Sequence, residues 1–189
     1  SLLKKEGLEY NPNIKIWHVI DFLHDLIGLD GIKKAVQNPL KGLKLATHVG
    51  CQLIRYSDLG RVDDAENPRK LDELVDVLGA ETVDYVEKLD CCGAALMYSH
   101  SDSALSLAGT KLSALQNYGV DGLVVSCPDC GLMFDSKQKD AATTVGARLN
   151  LPVLYYTQLL GLALNIEQEK LGLHLNQSPV DQLLTKISL

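Results

Sequence analysis

Apolar residues recur along the chain in two rhythms. Ile16, Val19, Ile20, Leu23, Leu26 and Ile27 repeat at helical spacing, so a helix is expected over Ile14–Ile27, stopped by Gly28. Leu43 to Val49 is a short continuous apolar run ending just before Cys51, the pattern of a buried strand. After the polar stretch "RVDDAENPRK", Asn67 is placed to cap and Pro68 to open a second helix, with Leu71, Leu74, Val75 and Leu78 on one face and Gly79 closing it. "TVDYVEKLD" (82–90) predicts a second strand that delivers the chain to Cys91. Leu105, Ala108, Leu112 and Leu115 place a third helix over Asp102–Asn117. "DGLVVS" predicts a third strand running into Cys127, "LPVLYY" a fourth, and "QLLGLALN" a helix after it, with a last helix from Pro179.

This alternation predicts an α/β fold: a parallel sheet of about four strands with helices on both faces, Rossmann-like in layout. The expected organisation is an N-terminal helical segment over 1–42 and an α/β domain over 43–189. The chain lacks an initiator Met and opens in what reads as a helix already under way. It is therefore expected to be a piece of a longer polypeptide, with 1–42 packing against or leading from a missing first half.

Position carries the chemistry. Cys51, Cys91, Cys92 and Cys127 each follow a predicted strand, and in a parallel sheet those strand ends share one edge, where open α/β folds hold ligands. Cys130 lies one helical turn past Cys127 and can face the same point.

Composition narrows the partners. The 189 residues are 46% hydrophobic and 22% charged, an ordinary globular balance. A formal charge of −6 (18 basic against 24 acidic) speaks against broad nucleic-acid binding. Leu149–Ile166 is the longest uncharged run, but Asn150, Pro152, Thr157, Gln158 and Asn165 make it a poor membrane span. With no export signal in "SLLKKEGLEYNPN", a cytoplasmic location is expected. An odd count of five cysteines does not make a disulfide framework, and clustered cytosolic cysteines point to metal or redox chemistry.

"CPDC" (127–130) alone fits half a zinc site, a redox pair or part of an iron–sulfur site. With Cys51 and one of the vicinal pair it would complete a four-thiolate zinc site, leaving one thiol spare. A cluster of several irons can use all five. Each cysteine alone also fits a small buried hydrophobe. His48 precedes Cys51 by three residues and could give a hydrogen bond or proton; it also fits a histidine that merely finishes a strand. His100 carries the same two readings. His18 and His24 fall on different helix faces and are no ligand pair. Gly50 and Gly93 allow tight turns beside the site. Tyr155, Tyr156 and Gln158 end the fourth strand, where packing is favoured over lining a channel.

The spacing is Cys51, 39 residues (52–90), Cys91–Cys92–Gly93, then Cys127–Pro–Asp–Cys130 with 34 residues (93–126) between Cys92 and Cys127. This looks like the cysteine-rich CCG domain. "HVGCQLIRYS", "NPRKLDELVDVLGAETVDY", "CCGAAL", "CPDCGLMFDSKQ" and "LPVLYYTQLLGLAL" resemble the C-terminal half of the B subunit of heterodisulfide reductase. The resemblance implies a noncubane 4Fe–4S cluster held by Cys51, Cys91, Cys92, Cys127 and Cys130, and reductive cleavage of a small-molecule disulfide, that of coenzymes M and B in the family. It also implies two partner polypeptides, a flavin-containing subunit and a ferredoxin-like subunit. Gln52 departs from the His often found there, and the second gap is about a residue short. Only one CCG motif is present where the family has two in tandem, so activity is expected to need the other half. The alternatives are a non-catalytic CCG module holding zinc or a cluster, and a metal-free dithiol reductase.

Overall fold

The computed structural model of the protein describes residues 2–9, 13, 15–55 and 63–187. Its helices are α1 (Leu2–Lys5), α2 (Val19–Asp21), α3 (Leu29–Ala35), α4 (Cys51–Arg55), α5 (Lys70–Asp76), α6 (Ser101–Asn117), α7 (Pro128–Gly131), α8 (Gln138–Val145), α9 (Tyr156–Ala163) and α10 (Val180–Ile187). Its strands are β1 (Lys44–His48), β2 (Glu81–Thr82), β3 (Gly122–Val125) and β4 (Val153–Tyr155). All three pairings are parallel and the order is β2-β1-β3-β4.

The strands read as unbroken apolar runs because both faces of the sheet are covered. Successive side chains alternate between two cores. Leu45, Val124 and Leu154 join Leu71, Leu74 and Val75 of α5, Leu159 and Leu162 of α9, and Leu183 of α10. Ala46, Leu123, Val125 and Val153 face the other way, onto Ala104, Ala108, Leu112 and Leu115 of α6 and Ala141 of α8. Ile20 and Ile32 attach residues 19–35 to the first of these cores.

Three expectations need correction. The first helix starts at Val19, because the His18 side chain caps it by accepting from the Ile20 amide, and it widens into π-type turns over Phe22–Ile27. Ile14 lies outside the described residues, as do Arg61 and Val62 of the polar stretch. Asp63, not Asn67, caps α5: one carboxylate oxygen accepts from the amides of Arg69 and Lys70, both at 2.7 Å. Strand β2 ends at Thr82, well short of Cys91, and the chain then makes a 3₁₀ turn over Val86–Leu89. The connection between β3 and β4 consists of α7, a π-type turn over Leu132–Ser136, and α8.

The order creates one switch point. From β1 the chain crosses to β2 on one side and later to β3 on the other. The crevice beyond the carboxyl ends of β1 and β3 is where open α/β sheets bind ligands.

Candidate metal centre

Each half of the site follows a strand end at that crevice. Cys51 opens α4, three residues beyond His48 at the end of β1. Between them Gly50 has φ +87°, and a Cβ there would lie 3.1 Å from the Cβ of Cys127, so the two chain segments meet at a residue without a side chain. Cys127 follows β3 and stands at the N-cap of α7, with Pro128 in the first turn, and Cys130 is one turn further on. Cys91 and Cys92 come from the loop after the 3₁₀ turn. The Gly93 amide lies 3.4 Å from the Cys91 sulfur.

All five cysteines line one cleft of about 320 Å³, together with Ala94, Ala95, Met97, Tyr98 and Leu132. None is in a disulfide. Cys92 and Cys130 are buried; Cys51, Cys91 and Cys127 are partly open. The structure therefore brings together all the cysteines that sequence reasoning selected, although the expected strand leading to Cys91 is absent.

The thiols differ in acidity. A hydrogen bond from Cys130 lowers Cys92 to about 4 against the opposing effect of burial, and His48 lowers it further. Cys127 is lowered to about 6, again first by Cys130 and then by the amides that open α7. Cys130 moves in the opposite direction: donating to Cys127 and Cys92 holds its proton firmly, and burial adds to this. Burial, then the neighbouring Cys91 and Cys92, pushes Cys51 up. Two thiolates and a shared proton at neutral pH form a soft, anionic donor set ready for a thiophilic metal.

His48 is only 3% exposed and stacks edge-on against Phe134 with ring centroids 5.0 Å apart. Its Nδ1 meets Lys111 Nζ at 2.9 Å. A ligating atom of His48 and the sulfurs of Cys92 and Cys130 all lie within 4.8 Å of one another. His48 thus belongs to the site's surroundings, whereas His100 is exposed at the start of α6, without a side-chain capping bond. His24, in the π-type turns over Phe22–Ile27, bridges Asp25 and Glu73 of α5. Tyr156 packs: it is buried and its hydroxyl donates to the Leu74 carbonyl at 3.2 Å. Gln158 caps α9, its side chain accepting from the Tyr155 amide.

Sequence reasoning missed Lys111. It is 1% exposed and donates to the Lys88 and Asp90 carbonyls, at 3.2 and 2.8 Å, as well as meeting His48. The signal was present: Ala104, Ala108, Lys111 and Leu115 form one helical stripe, and a lysine inside an apolar stripe needs acceptors waiting for it. Also missed was the buried set behind β1. There the Thr47 hydroxyl donates to Asp72, Lys88 pairs with Asp72 at 2.5 Å, and the Tyr85 hydroxyl donates to the Thr47 carbonyl at 2.9 Å.

A four-stranded parallel sheet with a five-thiol cleft at its switch point defines a cysteine-rich α/β domain. Residues 45–135 match the CCG cysteine-rich domain family. Along 99% of its length it is 39% identical to the B subunit of the ferredoxin/F420H2-dependent CoB-CoM heterodisulfide reductase of Methanosarcina acetivorans, covering 63% of that protein. The B subunit of the ferredoxin:CoB-CoM heterodisulfide reductase of Methanosarcina mazei matches to the same extent. The 8-methylmenaquinol:fumarate reductase membrane anchor subunit of Wolinella succinogenes is 30% identical over 93% of this chain and 61% of its own. The chain thus spans less than two thirds of the length of these relatives. A hypothetical protein from Helicobacter pylori shares the fold, with a TM-score of 0.67 at 18% identity, over 93% of this chain and 31% of that one. Among the described residues, no helix is long and apolar enough to cross a membrane.

Proposed function

We propose that this chain is part of the iron–sulfur subunit of a heterodisulfide-reductase-type enzyme, with Cys51, Cys91, Cys92, Cys127 and Cys130 as ligands of a noncubane 4Fe–4S cluster. The observation that carries the reading is the convergence of five thiols, including a vicinal pair, on one cleft. A structural zinc ion takes four ligands, so one sulfur would be spare. A cluster of several irons can use more thiolates than one zinc ion, and the adjacent Cys91 and Cys92 could serve neighbouring irons. The donor set fits: it is all sulfur, and partly deprotonated at neutral pH.

When bound, the cluster supplies electrons one at a time for reductive cleavage of a disulfide. The balanced reaction takes up two electrons and two protons, breaks one S–S bond and leaves two thiols. The chain's own residues shape that chemistry. Ala94, Ala95, Met97 and Leu132 give the cleft an apolar wall suited to the carbon arms of a thiol or disulfide. Gly50 and Gly93 hold the turns, and His48 stands behind Cys92. The heterodisulfide of coenzymes M and B is the substrate by likeness to the relatives. A flavin-containing subunit and a ferredoxin-like subunit are the proposed partners, in the cytoplasm, and the division into 1–42 and 43–189 is retained.

Anaerobic purification followed by iron, sulfide and zinc analysis, with EPR after oxidation, tests this. About four irons and an EPR signal lost in Cys92→Ser are expected. Stoichiometric zinc without iron would instead make the chain a structural zinc module.

A further inference from the structure

The cleft poses a choice for His48. With Cys92 and Cys130 it forms a compact, fully buried group of metal-binding atoms, and a histidine so placed invites assignment as a ligand. Its other nitrogen argues against that. A metal-bound histidine donates its second N–H to a carboxylate, carbonyl or water. Here the second nitrogen, Nδ1, faces Lys111 Nζ. Lys111 is already within donating distance of the Lys88 and Asp90 carbonyls, two groups that can only accept. An ammonium has three N–H donors, and its third is directed at Nδ1. Nδ1 then accepts, and the ring proton resides on Nε2. That Nε2 is buried and makes no hydrogen bond among the described residues. Two sulfurs lie within 4.8 Å of a His48 ring nitrogen, and since Cys130 gives its own proton toward Cys92 and Cys127, the Cys92 sulfur is the acceptor left within reach.

We propose that Lys111 is a positioning residue: its contact with Nδ1 holds His48 as the Nε2–H tautomer, so that His48 donates a hydrogen bond to the Cys92 sulfur and is not itself a metal ligand. The inference rests on the reading of the cysteines as a thiolate site, though it holds for zinc as well as for iron. It gives the lysine a second task. By gripping the carbonyls of Lys88 and Asp90, Lys111 also ties the segment entering Cys91 to α6 and to the end of β1. A hydrogen bond to a ligating sulfur withdraws charge from it, one of the means by which proteins set cluster potentials.

The test is histidine-tautomer NMR on the full chain labelled with ¹⁵N-histidine, as metal-free and as zinc-loaded protein. The expected His48 spectrum shows a protonated Nε2 and a bare Nδ1 in both states. A protonated Nδ1 would overturn the tautomer, and loss of the Nε2 proton on zinc loading would make His48 a ligand. In Lys111→Met the Nε2–H preference should fall at least tenfold, and an unchanged preference would overturn the role of Lys111. The wild-type measurements stand even if that variant does not fold. Metal analysis of the anaerobic protein reports separately on the cluster, so zinc there would sink the iron–sulfur reading and leave this inference to be judged on the tautomer.

Discussion

A Cβ on Gly93 would stand 2.6 Å from the carbonyl oxygen of Ala104, at the point where the vicinal cysteines turn toward α6. Gly93 also has φ +89°. Both the sterics and the left-handed conformation exclude a larger residue. Gly93→Ala should cost about 2–4 kcal/mol, combining about 1 kcal/mol or more for the left-handed backbone with an overpacking cost of about 1–3 kcal/mol. Urea unfolding of the variant measures this. Since the strain falls on the turn carrying Cys92, metal content should drop as well.

The thiols should label in a fixed order. In metal-free protein at pH 7, Cys127, with its acidity raised by Cys130, is mostly thiolate, whereas Cys51 is mostly thiol. The larger thiolate fraction of Cys127 outweighs its lower intrinsic nucleophilicity, because reactivity per thiolate falls less steeply with pKa than the thiolate fraction rises. Cys127 should therefore react with iodoacetamide several-fold faster than Cys51, with a rate that levels off above about pH 7. Both side chains are partly open. Peptide mapping after timed quenching reads the order, and faster labelling of Cys51 would contradict it.

His24 links residues 19–27 to α5. Burial pulls its pKa down, but hydrogen bonds to Glu73 and Asp25 outweigh it and the net shift is upward from 6.5. A histidine with a raised folded-state pKa contributes stability that is complete below the unfolded value. That stability is lost as pH rises through the folded value. The contribution should be present at about pH 5.5 and gone in the mildly alkaline range. Lys70 reinforces the contact through Asp21 and Asp25, at 2.8 and 2.5 Å. Glu73→Gln should remove most of the difference between the two pH values, an effect of no more than about 1 kcal/mol for a half-exposed pair. Urea midpoints of wild type and variant at both pH values decide it.

Asp135 anchors the start of α10. Its carboxylate accepts from the amides of Gln177 and Ser178 and from the Ser178 hydroxyl, the last at 2.6 Å. The same hydroxyl lies 2.9 Å from the Val153 amide of β4. Asp135→Ala would leave those donors without their acceptor, at about 2–3 kcal/mol. Hydrogen exchange should rise over residues 177–187 first, and faster exchange confined to α6 would count against this role.

Much of the fold is legible in local pattern. Leu43–Val49, 121–126 and 151–156 are largely apolar because each strand is covered on both faces, and that burial is written one residue at a time. The helix over 101–117 is legible for the same reason. Pattern overextends β2 because Val83, Tyr85 and Val86 look like strand residues, yet only Glu81 and Thr82 pair with β1. Asp63 escapes a local reading because it reaches the helix start from several residues back. Propensity carries no information about that kind of contact.

The sequence by itself determined the donor set: five thiols, two of them adjacent and two a helical turn apart, most of them just beyond apolar runs. Only the tertiary structure decided that they share one cleft, because that depends on which strands pair, and β1 and β3 are joined by hydrogen bonds between residues far apart in the chain. Only the tertiary structure, too, turned a lysine on an apolar helix face into a partner of a histidine 63 residues away. A buried ammonium is tolerable only where acceptors converge on it. Those acceptors come from β1 and from the loop entering Cys91, segments that meet only once the sheet is formed.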